Sequence, residues 1–430
     1  MMNLRMTLLL ALGAPCLLPA CASAGATSGP PDSGGGTAGL SGAGTAGAAA
    51  QGGSAQAGGA QAGSAQGGSA AGAGGSAPSG GLTAGGAAGA GAGGNAGAGG
   101  NAGMSGGGVG GMGGMAGGGG MGGMAGLCPP GPYATNPVPG GAMPTRVAGL
   151  PPSDAFNNNG NDFGIVEGPV WIGDALYVSE IGSGMSPPPS RVLKVTAAGQ
   201  VSIAIPDAGT NGLAVDPSGA LLGASHKAGA VQRFSLTGGA PTSLVSMYMG
   251  QRFNSPNDLA LRADGNLYFT DPDYQAPSPR PQSATRAYRV APGASSATPI
   301  VEGRQQPNGI TLALDGARLF VSGSDGVFAY PVMSDGAVGT GTRFGMVGGS
   351  DGMGLDCAGN LYVTSQSNVI VLNPTGTEIG RISLGSGQAQ SVTNVAFGGA
   401  DRKTLYITSL GTGMQRGLFR VELAIPGLPY

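Results

Sequence analysis

The chain has 430 residues, of which 91 are glycine and only 9% are charged, with a formal net charge of −2. That balance leaves no basic footprint for nucleic acid. The glycine excess and the charge poverty both come from one region, so composition divides the chain before any motif is read.

Residues 1–21 read as an export signal, with one basic residue, Arg5, before an apolar run over residues 6–18. The run is too short and too early for a lasting membrane span. It ends Leu18-Pro19-Ala20-Cys21, which is similar to a bacterial lipobox with Cys21 as the lipid-bearing residue. Cleavage after Ala22-Ser23-Ala24 is the alternative. The expected location is periplasmic or cell-surface as a lipoprotein, or else simply secreted.

Residues 22–126 are low-complexity sequence dominated by Gly, Ala, Ser, Gln and Met, with Asp32 as the single charge and no aromatic residue. Such a segment cannot bury a core and is expected to be a disordered tether. Over about 100 flexible residues its r.m.s. reach is on the order of 50–60 Å. Met112, Met115, Met121 and Met124 are read as biased repeats rather than a thioether copper site. The GxGxxG matches and the GxSxG match at Gly103 are products of composition, because no strand precedes them and no helix follows.

Residues 127–430 are expected to form one domain, large enough for a sizeable core. Helical periodicity is nearly absent, and short strands alternate with Gly, Pro and Asp turns, so the class is all-β. One pattern is written six times, starting at Glu167, Asn211, Asn257, Asn308, Asp351 and Asn394, about 43–51 residues apart. Each copy has an acid or amide first, then a short apolar strand, a turn, and a second Leu/Tyr/Phe strand. That period predicts a six-bladed β-propeller. The last blade is short of an outer strand, and residues 145–149, Thr-Arg-Val-Ala-Gly, are the candidate to supply it, which would remove an exposed edge.

In a propeller, equivalent residues of successive blades lie on one ring around the axis. Six oxygen-bearing side chains therefore converge at one end of the channel. Buried carboxylates are costly alone, so the ring calls for a cation or water. Two carboxylates with several amide oxygens form a hard-oxygen set suited to Ca²⁺, with Zn, Mn or Mg as alternatives. Asn211 and Asn394 have a simpler reading as turn residues. Trp171 reads as core, and Asp271 as support for its turn or for its neighbouring blade.

Cys128 and Cys357 are expected either to pair, tying the start of the domain to the fifth blade, or to remain separate thiols. Gly348-Gly349-Ser350-Asp351-Gly352 matches GxSxG, but the strand–elbow–helix context is missing. A Ser350 triad would need His226, the sole histidine, two or three blades away. Arg252, and Arg280 and Arg286 on the long loop after the third blade's second strand, are candidates to receive a polar substrate or are plain surface charge.

Glu167-Gly168-Pro169-Val170-Trp171, Asn254-Ser255-Pro256-Asn257-Asp258, Tyr268-Phe269-Thr270-Asp271-Pro272, Pro307-Asn308-Gly309 and Asp351-Gly352-Met353 together resemble the motifs of the gluconolactonase/senescence-marker-protein (regucalcin-like) family. The resemblance covers nearly all of residues 150–430 and implies a six-bladed propeller. It implies metal ligands at Glu167, Asn308 and Asp351, with Asn257 binding metal or substrate. His226 resembles part of a Glu-His segment of that family, with Ser225 in place of the Glu. It is read as lining the pocket or as a structural imidazole. The implied activity is metal-dependent opening of a lactone, with Asp351 as general base or as nucleophile. Alternatives are an esterase or phosphotriesterase of the same architecture, or a non-catalytic metal-containing propeller acting as a binding or scaffold module. A monomer is the expected state.

Overall fold

The computed structural model describes residues 127–150, 163–183, 185–385 and 387–428. The export signal, Cys21 and the Gly/Ala-rich tether lie outside the described residues.

The described residues form six four-stranded antiparallel blades. Four are separate sheets, and blades 1 and 6 are joined into one eight-stranded sheet by pairing of Phe163, Gly164 and Ile165 with Thr412, Gly411 and Leu410. Met247–Tyr248 and Gln251–Arg252 form a short ribbon of their own. Blade 1 runs Phe163–Ile172, Ala175–Ile181, Ser190–Thr196 and Val201–Ile205. Blade 2 begins at Thr210–Val215, blade 3 at Leu259–Leu261, blade 4 at Ile310–Leu312 and blade 5 at Met353–Leu355. Blade 6 holds Ser391–Gly398, Thr404–Thr412 and Gly417–Glu422. Its fourth strand is Thr145–Arg146, which pairs Thr145 with Arg420 and Arg146 with Phe419. The N-terminal side thus completes the last blade, as the missing strand required.

The second strand of each blade shows why the pattern folds this way. Successive side chains point to opposite faces of a strand. In Leu361–Ser365, Leu361 and Val363 pack in the seam with blade 4, and Tyr362 packs in the seam with blade 6. In Leu267–Asp271, Leu267 and Phe269 face blade 2 while Tyr268 faces blade 4. Both faces are buried, so the strand reads Leu-Tyr-Val rather than apolar–polar. Six hydrophobic clusters result, one in each seam between neighbouring blades. Trp171 belongs to the seam between blades 6 and 1, where it stacks on Tyr406 and its indole N–H donates to the Gly173 carbonyl at 3.0 Å.

Both ends of the described chain are fastened at the turn end of blades 5 and 6. Cys128 is disulfide-bonded to Cys357, in the turn between the first two strands of blade 5. The Cys357 amide donates to Pro426 O at 2.8 Å, and the Leu428 amide donates to Leu355 O at 3.1 Å. The Arg402 guanidinium donates to Leu127 O at 2.8 Å.

The crosslink spans 229 residues of sequence, so it removes much freedom from the unfolded chain. Reduction, or Cys128→Ser, is expected to cost about 2–5 kcal/mol. Thermal unfolding of the wild type with and without reductant, beside the variant, measures it. The variant should lose its sensitivity to reductant.

Candidate active site

The ring predicted from the repeats assembles at the end of the barrel where each first strand begins. Glu167, Asn211, Asn257, Asn308 and Asn394 are buried, and Asp351 is the ring member most open to solvent. Glu167 lies close enough to Asp351 to feel its charge. Burial pushes the Glu167 carboxyl well up, and repulsion from Asp351 and then Asp258 adds to it. Burial likewise raises Asp351, followed by repulsion from Asp258, while the Asn308 side chain hydrogen-bonds the Asp351 carboxylate and opposes the rise.

Asp258 is a third axial carboxylate that the ring register does not contain. It follows Asn257, at the position occupied by Gly168, Gly212, Gly309 and Gly352 after four other ring residues. Its Oδ1 accepts from the Leu259 amide at 2.9 Å, and its Oδ2 accepts from the Ile310 amide of blade 4 at 3.3 Å. Burial lifts its pKa to about 6 in spite of these bonds and one from the Asn394 side chain. Asn394 is therefore more than a turn residue: its side chain reaches both Asp258 and Glu167, and its Oδ1 accepts from the Val395 amide at 2.8 Å. That side chain lies over Gly352, where a Cβ would stand 2.0 Å from Asn394 Cγ.

Two amide oxygens of the ring, Asn308 Oδ1 and Asn211 Oδ1, are buried with no hydrogen-bond partner. Unpaired buried oxygens beside carboxylates that resist ionisation are the donor set that a hard cation completes. Glu167, Asn308 and Asp351 fit such an ion, and Asn257 is buried at the matching place in blade 3. Among the described residues no three His, Cys, Asp or Glu side chains form a metal-binding group by themselves, so a cation here depends on the amides.

The peptide carrying Asn257 is held from behind. Asp271 accepts from the backbone amides of Asn254 at 3.0 Å and Ser255 at 2.8 Å. Burial raises Asp271 to about 7, partly offset by those bonds and by Arg252 and Arg286. Its role is the supporting one read from the sequence.

The other candidates lie off the ring. His226 is fully buried, with Nε2 at 3.0 Å from the Pro188 carbonyl, and burial depresses its pKa to about 4, so it is neutral. Arg252 donates to the His226 carbonyl at 2.8 Å and to Phe253 O at 3.2 Å. These two are joined to each other and to backbone between blades 1, 2 and 3. Ser350 Oγ has no hydrogen-bond partner, so no Ser–His pair exists. Arg280 is ion-paired with Asp273 at 2.5 Å and Arg286 with Glu302 at 2.5 Å, which ties down the long loop. That loop also presents Tyr274, which sequence reading did not single out. Tyr274 is half exposed, and its hydroxyl lies beside Asp351, Asn308 and Ser324, with its pKa raised by burial and then by the Asp351 charge. An aromatic residue is thereby placed at the mouth of the ring.

The family model described as the SMP-30/gluconolactonase/LRE-like region matches residues 165–411, more than half of the chain. The chain belongs to this family. Within the SMP-30/gluconolactonase/LRE-like family, it is similar to a gluconolactonase of Zymomonas mobilis, 30% identical over 278 residues, which are 56% of this chain and 75% of that one. A solved gluconolactonase structure from Xanthomonas campestris is 26% identical, with a TM-score of 0.53, covering 68% of this chain and 98% of its own. A calcium-binding regucalcin from Agrobacterium tumefaciens is 20% identical, with a TM-score of 0.50, covering 62% and 92%. That last likeness shows the fold. The six-bladed architecture and the family expected from the motifs are both found.

Raised carboxylate pKa values have a definite sign in stability. Asp258 at about 6 and Asp271 at about 7 both lie above the ordinary carboxylate value of roughly 4. Between these values the folded chain holds more protons than the unfolded chain, so stability falls as pH rises. Chelated protein is expected to melt at a higher temperature near pH 5 than near pH 8, with Glu167 and Asp351 extending the slope upward. Added Ca²⁺ should raise the melting temperature more at pH 8 than at pH 5. Thermal melts across that range, with and without chelator, check both signs.

Proposed function

We propose that this protein is a cation-dependent hydrolase that opens lactones. The observation that carries the reading is the pair of carboxylates, buried Glu167 and part-buried Asp351, gathered with the unpartnered Asn308 oxygen at the end of the channel. The family, with its 30%-identical gluconolactonase, supports the substrate class.

Glu167, Asn308 and Asp351 would hold the ion, with Asn257 completing its shell or orienting the substrate. A bound divalent cation, Ca²⁺ by the hardness of these donors, supplies polarisation of the lactone carbonyl and stabilises the charge that develops on its oxygen. Asp351 is the ring carboxylate that solvent reaches, so it takes the proton of the attacking water. Asp258 lies deeper, with its oxygens turned to the Leu259 and Ile310 amides. It adds negative charge behind the site without facing the substrate. Asn394 fixes Glu167 against Asp258, and Tyr274 covers the mouth on the blade 3 side.

The leader is proposed to be an export signal over residues 1–21 with lipid on Cys21, followed by a tether over residues 22–126 and the propeller from 127. The described start of the chain supports a useful orientation. Leu127 and Cys128 are fastened at the turn end of the blades, opposite the end that carries Asp351. A tethered propeller would present its site away from its attachment.

Acid release from sugar lactones, simple lactones and aryl esters tests the activity, followed at constant pH with the full chain. Chelation should abolish turnover of at least one lactone and Ca²⁺ should restore it. Asp351→Asn should lower it by about 10²–10⁴-fold, the usual worth of a general base. Lactone turnover untouched by chelator, or full activity in Asp351→Asn, would contradict the mechanism. Tight cation binding with no turnover would favour a binding module.

A further inference from the structure

The second strand of five blades ends its apolar run on a hydroxyl: Ser179, Thr270, Ser322, Thr364 and Thr408. In blade 2 the matching residue is Ala224. The five hydroxyl residues are fully buried, a costly place for hydroxyls unless each is bonded.

Their partners are not random. First strands of neighbouring blades are not paired in a ladder, so the carbonyls of Asn308 and Asp351 need donors from elsewhere. Thr270 Oγ1, in blade 3, donates to the Asn308 carbonyl of blade 4 at 2.5 Å. Ser322 Oγ, in blade 4, donates to the Asp351 carbonyl of blade 5. The same two hydroxyls accept from the residues just before the first strands of their own blades, at the Asp258 and Gly309 amides, at 3.1 and 2.8 Å. Each therefore clamps one blade's ring residue to the next blade's. By contrast Ser179, although it pairs with Glu167 in the blade 1 ladder, directs its Oγ to the Thr210 hydroxyl at 2.9 Å and not to a ring carbonyl.

We propose that Thr270 and Ser322 are positioning residues of the cation site, fixing the main chain from which Asn308 and Asp351 project. The inference rests on the cation reading given above. Groups that orient metal ligands typically govern metal affinity by 10–100-fold when removed.

The test is calorimetric titration of CaCl₂ into chelated full-length protein. Thr270→Val and Ser322→Ala should each weaken binding by roughly 10–100-fold. Thr270→Ser and Ser322→Thr, which keep the hydroxyl, should bind as wild type does. Ser179→Ala should lose melting temperature yet keep its affinity. Two results would overturn the proposal: wild-type affinity in both hydroxyl-deleted variants, or an equal loss in Ser179→Ala, which would mean general loosening. Failure of the wild type to take up any divalent cation would sink the cation reading itself, and this inference with it.

Discussion

The closest approach of the blades at the axis governs this molecule. A Cβ on Gly309 would stand 2.5 Å from the Asp351 carbonyl oxygen, and one on Gly168 would stand 2.4 Å from the Asn211 carbonyl oxygen. Neither distance can accommodate a side chain, so glycine follows the ring residue in those blades. The inner strands come close enough for the Gly212 amide to donate to the Asn257 carbonyl at 2.5 Å and the Gly352 amide to the Thr393 carbonyl at 2.7 Å. Main chain at that spacing gathers the residues before the glycines into one small, poorly solvated volume. Carboxylates there repel each other and resist ionisation, and two ring amide oxygens, Asn211 Oδ1 and Asn308 Oδ1, go unpaired. The chemistry of the site is a consequence of the packing.

The sequence displays the architecture because the repeat carries it. Glu167, Asn308 and Asp351 stand at one register position, and that position alone places them on a ring. Asp258 escaped the same reasoning, since it occupies the register position where other blades have glycine. Its carboxylate has room because the neighbouring blade has glycine there: a Cβ on Gly212 would stand 2.5 Å from Asp258 Oδ1, a fact of three dimensions. Asn394 read as a turn residue because its bonds run across the axis to Glu167 and Asp258. The buried hydroxyls were visible as a recurring Ser or Thr, yet a Thr ending a strand is ordinary β-sheet composition until the next blade's carbonyl is in view. Cys128 and Cys357 are too far apart in sequence for spacing to decide their pairing, and the fold decides it.

The rim shows how the same physics divides structural from chemical residues. Arg252, Arg280 and Arg286 looked available for substrate, but each is committed to a backbone carbonyl or an acid partner. His226 is neutral and enclosed, and it bonds the Pro188 carbonyl. What remains facing the opening is Asp351, with Tyr274 beside it. A site of this kind owes its reactivity to a few axial groups and its precision to the many buried bonds behind them, from the Asp271 cap on Asn254 and Ser255 to the hydroxyl clamps.

Locating the ion decides whether the axial oxygens form one cation site. Crystals of the chelated protein soaked with Mn²⁺ would be measured for anomalous scattering. A single strong peak is expected at the ring, within bonding distance of Glu167, Asn308 and Asp351, with Asn257 as the next nearest side chain. A peak elsewhere with none at the ring, or no peak at saturating Mn²⁺, would contradict it.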